Sequence, residues 1–126
     1  MGDSRSFRLR NSSFKQLTTD HSLVQEQLDQ GLISPEEAKA HSYKNVILRA
    51  VGIEEHPRLD IIKGKVYPGD LFLLCSDGLT DMVSPDHIQS LVSSPGTLEA
   101  KTAALVQEAK ANGGRDNITV VLAEIL

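Results

Sequence analysis

Leu71-Phe72-Leu73-Leu74-Cys75-Ser76-Asp77-Gly78-Leu79 is the stretch on which the fold turns: five consecutive apolar residues run straight into Ser-Asp-Gly. Pro68-Gly69-Asp70 bounds it on one side and Asp77-Gly78 on the other. A short apolar run between turn signals reads as a strand covered on both faces. Asp77 then stands where that strand leaves the core. A carboxylate held there is partly desolvated and calls for a counter-charge, so a metal ion or a cationic ligand is its natural partner. The same residues also read as a plain turn, with Asp77 capping the helix that follows.

Upstream, Phe7 and Leu9 alternate with Arg8 and Arg10, and Asn11-Ser12-Ser13 turns the chain into Phe14-Lys15-Gln16-Leu17, the pattern of a hairpin. Ser22 with Gln25 gives a capping-box start for a helix carrying Val24 and Leu28 on one face and stopped by Gly31. Ser34-Pro35-Glu36-Glu37 starts a second short helix toward His41. These two make a small polar helical insert. Asn45–Leu48 and Ile61–Tyr67 read as further strands. Downstream, Ser84-Pro85 opens a helix with Ile88, Leu91 and Val92 at helical spacing. Thr97 opens a longer one, in which Leu98, Leu105 and Ala109 share a face. The β-branched run Ile118–Ala123 reads as a final strand.

Gly113-Gly114-Arg115-Asp116-Asn117 immediately precedes that strand. If it lies antiparallel beside Leu71–Cys75, Asp77 and Asp116 share one sheet edge, within reach of one ion. Asp3, just before the Phe7 strand, could join them. Carboxylate oxygens of this kind, completed by waters, suit Mg²⁺ or Mn²⁺.

Composition narrows the classes. The chain has 126 residues, 40% apolar and 24% charged, with a formal charge of −4. It is long enough for a core of one domain. It lacks the ~20-residue apolar run of a membrane span, shows no signal-peptide pattern, and points to the cytoplasm. The acidic balance argues against nucleic acid as a partner. The single cysteine, Cys75, sits in the apolar run and reads as a small buried hydrophobe.

Five blocks in order, Gly2-Asp3-Ser4-Arg5, Leu17–Ser22, Asn45–Gly52, Gly69–Leu79 and Gly113–Val121, resemble the metal-dependent serine/threonine protein phosphatases of the PPM (type 2C) family, its bacterial branch above all. The resemblance covers essentially the whole chain as the C-terminal half of a catalytic domain. It implies an α+β fold: residues 1–126 as part of a four-layer α-β-β-α sandwich with mostly antiparallel sheets and a flap-like helical insert at about 22–45. It also implies a binuclear Mg²⁺ or Mn²⁺ centre with a possible third ion, at which water activated by the ions attacks phosphorus in phosphorylated protein substrates. Asp77 and Asp116 match ligands of the core pair, and Asp3 matches the residue that helps Asp77 hold the third ion. Asn117 and Gly78 would support the Asp116 loop and the Asp77 turn. His41 and Asn45, in a segment that departs from the usual His-Pro-x-Arg-Asn, would face substrate from the flap.

The family's other half carries the bridging Asp-Gly, a further acidic ligand and a phosphate-gripping Arg, and none of these is found in this sequence. The expectation is therefore a chain inactive alone, paired with the missing half or self-associated through uncovered sheet surfaces. A non-catalytic phosphatase-like interaction or regulatory module is the competing reading. Gly2-Asp3-Ser4 also resembles the nucleophile block of GDS-type esterases, but no His here has an Asp three residues before it. No Gly-x-x-x-x-Gly-Lys-Ser/Thr loop occurs.

Overall fold

The computed structural model describes residues Met1–Leu126. The chain divides into two compact units, one made of residues 1–3 and 19–62 and the other of residues 4–18 and 63–126.

The larger unit holds one sheet. Strands β1 (Arg5–Arg10), β2 (Ser13–Gln16), β3 (Leu71–Cys75) and β4 (Val120–Glu124) lie in the order β2-β1-β3-β4, every neighbour antiparallel. The β1–β2 hairpin forms as its pattern predicts. Asn11 and Ser12 take up the turn at positive φ, 47° and 64°, a region Asn visits more readily than most residues. On one face of the sheet Phe7, Leu71, Leu73 and Cys75 are buried, with Phe7 stacked on Phe14 at 4.9 Å between ring centres.

Helices α3 (Asp77–Thr80), α4 (Pro85–Ser93) and α5 (Leu98–Ala111) follow in the same unit. Ser84 and Thr97 cap α4 and α5, accepting from the amides of His87 and Ala100. Leu79, Val83, Ile88, Val92, Leu105 and Ala109 complete a single core with the sheet residues. At the strand start, Asp70 is 1% exposed and takes a two-pronged grip from Arg10, both bonds 2.6 Å, plus the Tyr67 amide at 2.9 Å. The Arg10 hydrogen bonds hold its carboxyl down to about 2, and the Arg10 guanidinium rises in turn.

In the smaller unit, Ser22 caps α1 (Leu23–Asp29) through the Gln25 amide, while the Gln25 side chain turns to Asp29. Ser34 and Glu37 form a complete capping box on α2 (Pro35–Ala40). Two expected strands are absent. Asn45–Leu48 contributes only an isolated bridge, Ile47 opposite Ser22, and Ile61–Tyr67 forms no ladder at all. The final strand starts at Val120 rather than Ile118. β3 is also not covered on both faces: Leu74 is 48% exposed, and its cross-strand partner Val121 is 52% exposed.

Candidate functional site

The β3–β4 ladder ends at the pair Cys75↔Val120, and what lies past it is a joint between two turns. Asp77 is the first residue of α3, half-buried, and Asp116 lies in the exposed loop that leads to β4. Antiparallel neighbours bring the end of one strand beside the start of the other, so the two carboxylates belong to one edge of the sheet, as their spacing predicts.

Hydrogen bonds close the joint. The Ser76 amide donates to the Thr119 carbonyl at 3.0 Å, extending the ladder by half a rung. The return bond is different. The Ser76 carbonyl is taken by the Leu79 amide, 3.2 Å, as α3 begins, so the Thr119 amide donates instead to Ser76 Oγ at 3.0 Å. That hydroxyl donates in turn to the Asn117 carbonyl at 3.1 Å. Ser76 holds the N-cap position of α3, yet its side chain makes no capping bond to the helix.

Gly78 is buried against the same loop. A Cβ built there would lie 2.2 Å from the Asn117 carbonyl oxygen and 2.9 Å from its carbon. The Asn117 backbone amide donates to Asp116 Oδ1 at 2.6 Å. Asn112, which caps α5, donates its side-chain amide to the Met82 carbonyl at 3.0 Å and anchors the start of the Gly113-Gly114 turn.

The remaining sequence candidates lie in the other unit. Asp3 belongs to it, as do His41 and Asn45. His41 ends α2 and accepts from the Tyr43 amide through Nδ1 at 3.1 Å, while Asn45 is exposed. The same unit contains a network that no sequence signal marks. His21, only 9% exposed, donates through Nε2 to Asp60 Oδ2 at 2.6 Å, and Arg49 reaches Asp60 Oδ1 at 3.1 Å. The His21 hydrogen bond, aided by Arg49, lowers the Asp60 carboxyl below its usual range. Neither unit by itself gathers three His, Cys, Asp or Glu side chains able to hold a metal ion. Asp77 and Asp116 are donors of the type that hard divalent cations take, but a set of two carboxylates leaves most of a six-oxygen shell to be found elsewhere.

No family model matches the chain. It is 44% identical over 124 residues to the serine/threonine phosphatase stp of Listeria monocytogenes, a match taking in 98% of this chain and 49% of that protein. Among solved structures, the S. agalactiae serine/threonine phosphatase superimposes with a TM-score of 0.93 at 37% identity, covering 99% of this chain and 52% of that one. The catalytic domain of PstP, solved in complex with two manganese ions, gives 0.81 at 39% identity, covering 98% and 50%. The chain thus spans about half the length of the curated relatives it matches.

Proposed function

We propose that this chain, which belongs to the PPM family of bacterial serine/threonine phosphatases, supplies one part of a metal-dependent site that hydrolyses phosphoserine and phosphothreonine in cytoplasmic proteins. The observation that carries the reading is the β3–β4 register, which places Asp77 and Asp116 at one sheet edge with their two turns hydrogen-bonded together. In this role Asp77 and Asp116 are ligands for Mg²⁺ or Mn²⁺. Such ions neutralise phosphoryl charge and make water acidic enough to act as a nucleophile near neutral pH. The chain's own contribution is to hold the two carboxylates in fixed turns, because each ligand that is already ordered lowers the entropy lost when the ion arrives. Gly78 and Asn117 keep those turns together.

Two carboxylates leave the shell incomplete, so the chain alone is inactive and the remaining half of the domain supplies the other donors. Co-expression with the complementary half of the S. agalactiae enzyme tests this. Mn²⁺-dependent release of phosphate from a phosphothreonine peptide is expected from the assembled pair, with loss of turnover in Asp77→Asn or Asp116→Asn. A well-assembled pair that hydrolyses nothing would leave a non-catalytic interaction module as the surviving reading.

A further inference from the structure

A serine at an N-cap normally turns its hydroxyl onto the helix, where it satisfies an amide of the first turn. Ser84 and Thr97 do so in this chain, and Ser76 does not. Its hydroxyl is committed across the joint, accepting from the Thr119 amide at 3.0 Å and donating to the Asn117 carbonyl at 3.1 Å. Where the strand gives way to the helix, the Ser76 carbonyl accepts from the Leu79 amide, and the Thr119 amide is met by the Ser76 hydroxyl. The hydroxyl supplies the acceptor that the Thr119 amide would otherwise lack. A hydroxyl offers one donor and two acceptor positions, so the same group can also bind the Asn117 carbonyl. Asn117 in turn donates to Asp116 Oδ1. Two hydrogen bonds that meet at Asn117, one on its carbonyl and one from its amide, therefore link the residue before Asp77 to the carboxylate of Asp116.

We propose that Ser76 is a positioning residue for the metal site: its diverted cap hydroxyl fixes the Asp116 loop against the Asp77 turn, so that the two carboxylates are presented as a pair. The proposal rests on the reading of Asp77 and Asp116 as ligands, and its test separates the two. Losing a hydroxyl that makes two bonds at a partly exposed joint frees the loop by an amount on the order of tenfold in an equilibrium constant. Three variants of the full chain discriminate. Ser76→Ala removes the group, Ser76→Thr keeps it, and Ser76→Cys keeps the shape with a weak donor and acceptor.

Two readouts are needed. Amide hydrogen exchange at Thr119 is slow in the wild type, speeds up roughly tenfold or more in Ser76→Ala and Ser76→Cys, and is restored in Ser76→Thr. In an Mn²⁺ titration of the chain assembled with the complementary half of the S. agalactiae enzyme, followed by paramagnetic broadening of backbone amides, residues flanking Asp77 and Asp116 broaden together in the wild type. Half-broadening shifts to about tenfold higher Mn²⁺ in Ser76→Ala and Ser76→Cys, and Ser76→Thr restores it. A merely structural role would lower the melting temperature without that shift. Unchanged Thr119 exchange overturns the clamp whatever the metal does. Equal Mn²⁺ response in wild type and Ser76→Ala overturns the positioning role while leaving the metal reading intact. Absence of broadening around Asp77 and Asp116 in the wild type overturns the metal reading and, with it, the role assigned to Ser76. Should Ser76→Ala fail to fold, Ser76→Cys carries the same comparison.

Discussion

Replacing Gly78 by Ala sets two opposing effects against each other, and their magnitudes decide the outcome. Gly78 lies within α3 and is not among the positive-φ glycines, so alanine suits its backbone and gains about 0.5–1 kcal/mol in helix propensity. The added methyl, however, would sit 2.2 Å from the Asn117 carbonyl oxygen. Carbon–oxygen contacts of this kind begin near about 3.3 Å, so roughly 1 Å of movement is required. The obstacle is backbone, not the end of a flexible side chain, and it is tied down by the Ser76 hydroxyl. Overpacking of this sort costs about 1–3 kcal/mol, which outweighs the propensity gain. Gly78→Ala is therefore expected to be destabilised by about 1–2 kcal/mol in urea unfolding, with amide shifts moving at residues 115–118. In an assembled phosphatase, a displacement of about 1 Å at a ligand loop is expected to lower turnover by roughly a hundredfold. Gly64→Ala, where nothing lies within 4 Å of the new methyl, is the control. A Gly78→Ala chain as stable as the wild type, with unmoved 115–118 amides, would refute the close approach and the coupling built on it.

Other perturbations test the rest of the framework. Leu105 is fully buried in the core beneath the sheet, so Leu105→Ala is expected to lose about 2–5 kcal/mol of unfolding free energy, read from urea melts. Asp70 is ionised in the folded chain down to about pH 2, against about 3.9 for a free aspartate. The stability it contributes is therefore present above pH 4 and disappears as pH falls toward 2. Melting temperatures across that window should fall more steeply for the wild type than for Asp70→Asn. On the open sheet face, Leu74 and Val121 stand opposite one another and both are about half exposed. The double variant Leu74→Lys/Val121→Glu is expected to reduce self-association in sedimentation experiments with little change in melting temperature, since opposite charges pair favourably across strands.

Local signals were enough to find most of this fold. The caps at Ser34, Ser84 and Thr97, the hairpin at Asn11-Ser12 and the apolar strand before Asp77 depend on neighbours a few residues away, and all of them form. Asn45–Leu48 and Ile61–Tyr67 carry equally good strand composition and form no strand. A strand is a relation between two segments, and composition reports only one of them. Ile61 at 78% exposure and Val66 at 56% have the side chains of a sheet without a sheet beside them. The site divides in the same way. That Asp77 and Asp116 end on one edge followed from two strand positions and an assumed antiparallel pairing, which the register bears out. Ser76 carries no mark in the sequence, which puts the helix cap at Asp77, whereas the structure puts the N-cap at Ser76 and makes Asp77 the first helical residue. The His21–Asp60 bond, between residues 39 apart, leaves no local trace.

The places where this chain falls short of its own sequence share one character. Leu74 and Val121 present apolar side chains on an open face, Ile61–Tyr67 forms no ladder, and the β3–β4 joint brings two carboxylates to one edge where a hard cation takes about six oxygens. Each is a valence left open: an apolar surface without a cover, a strand-like segment outside any ladder, a pair of carboxylates short of a six-oxygen shell. Independent defects would have no reason to coincide in a chain whose core residues Phe7, Leu79, Ile88 and Leu105 are almost wholly buried. A single complementary body, packing on the sheet face and bringing carboxylates to its edge, meets the first and last needs at once. Relatives about twice as long are where such a body would be found. Within the chain the Ser76 hydroxyl holds the Asp116 loop against the Asp77 turn, and carboxylates ordered in this way would lose less entropy on meeting a cation.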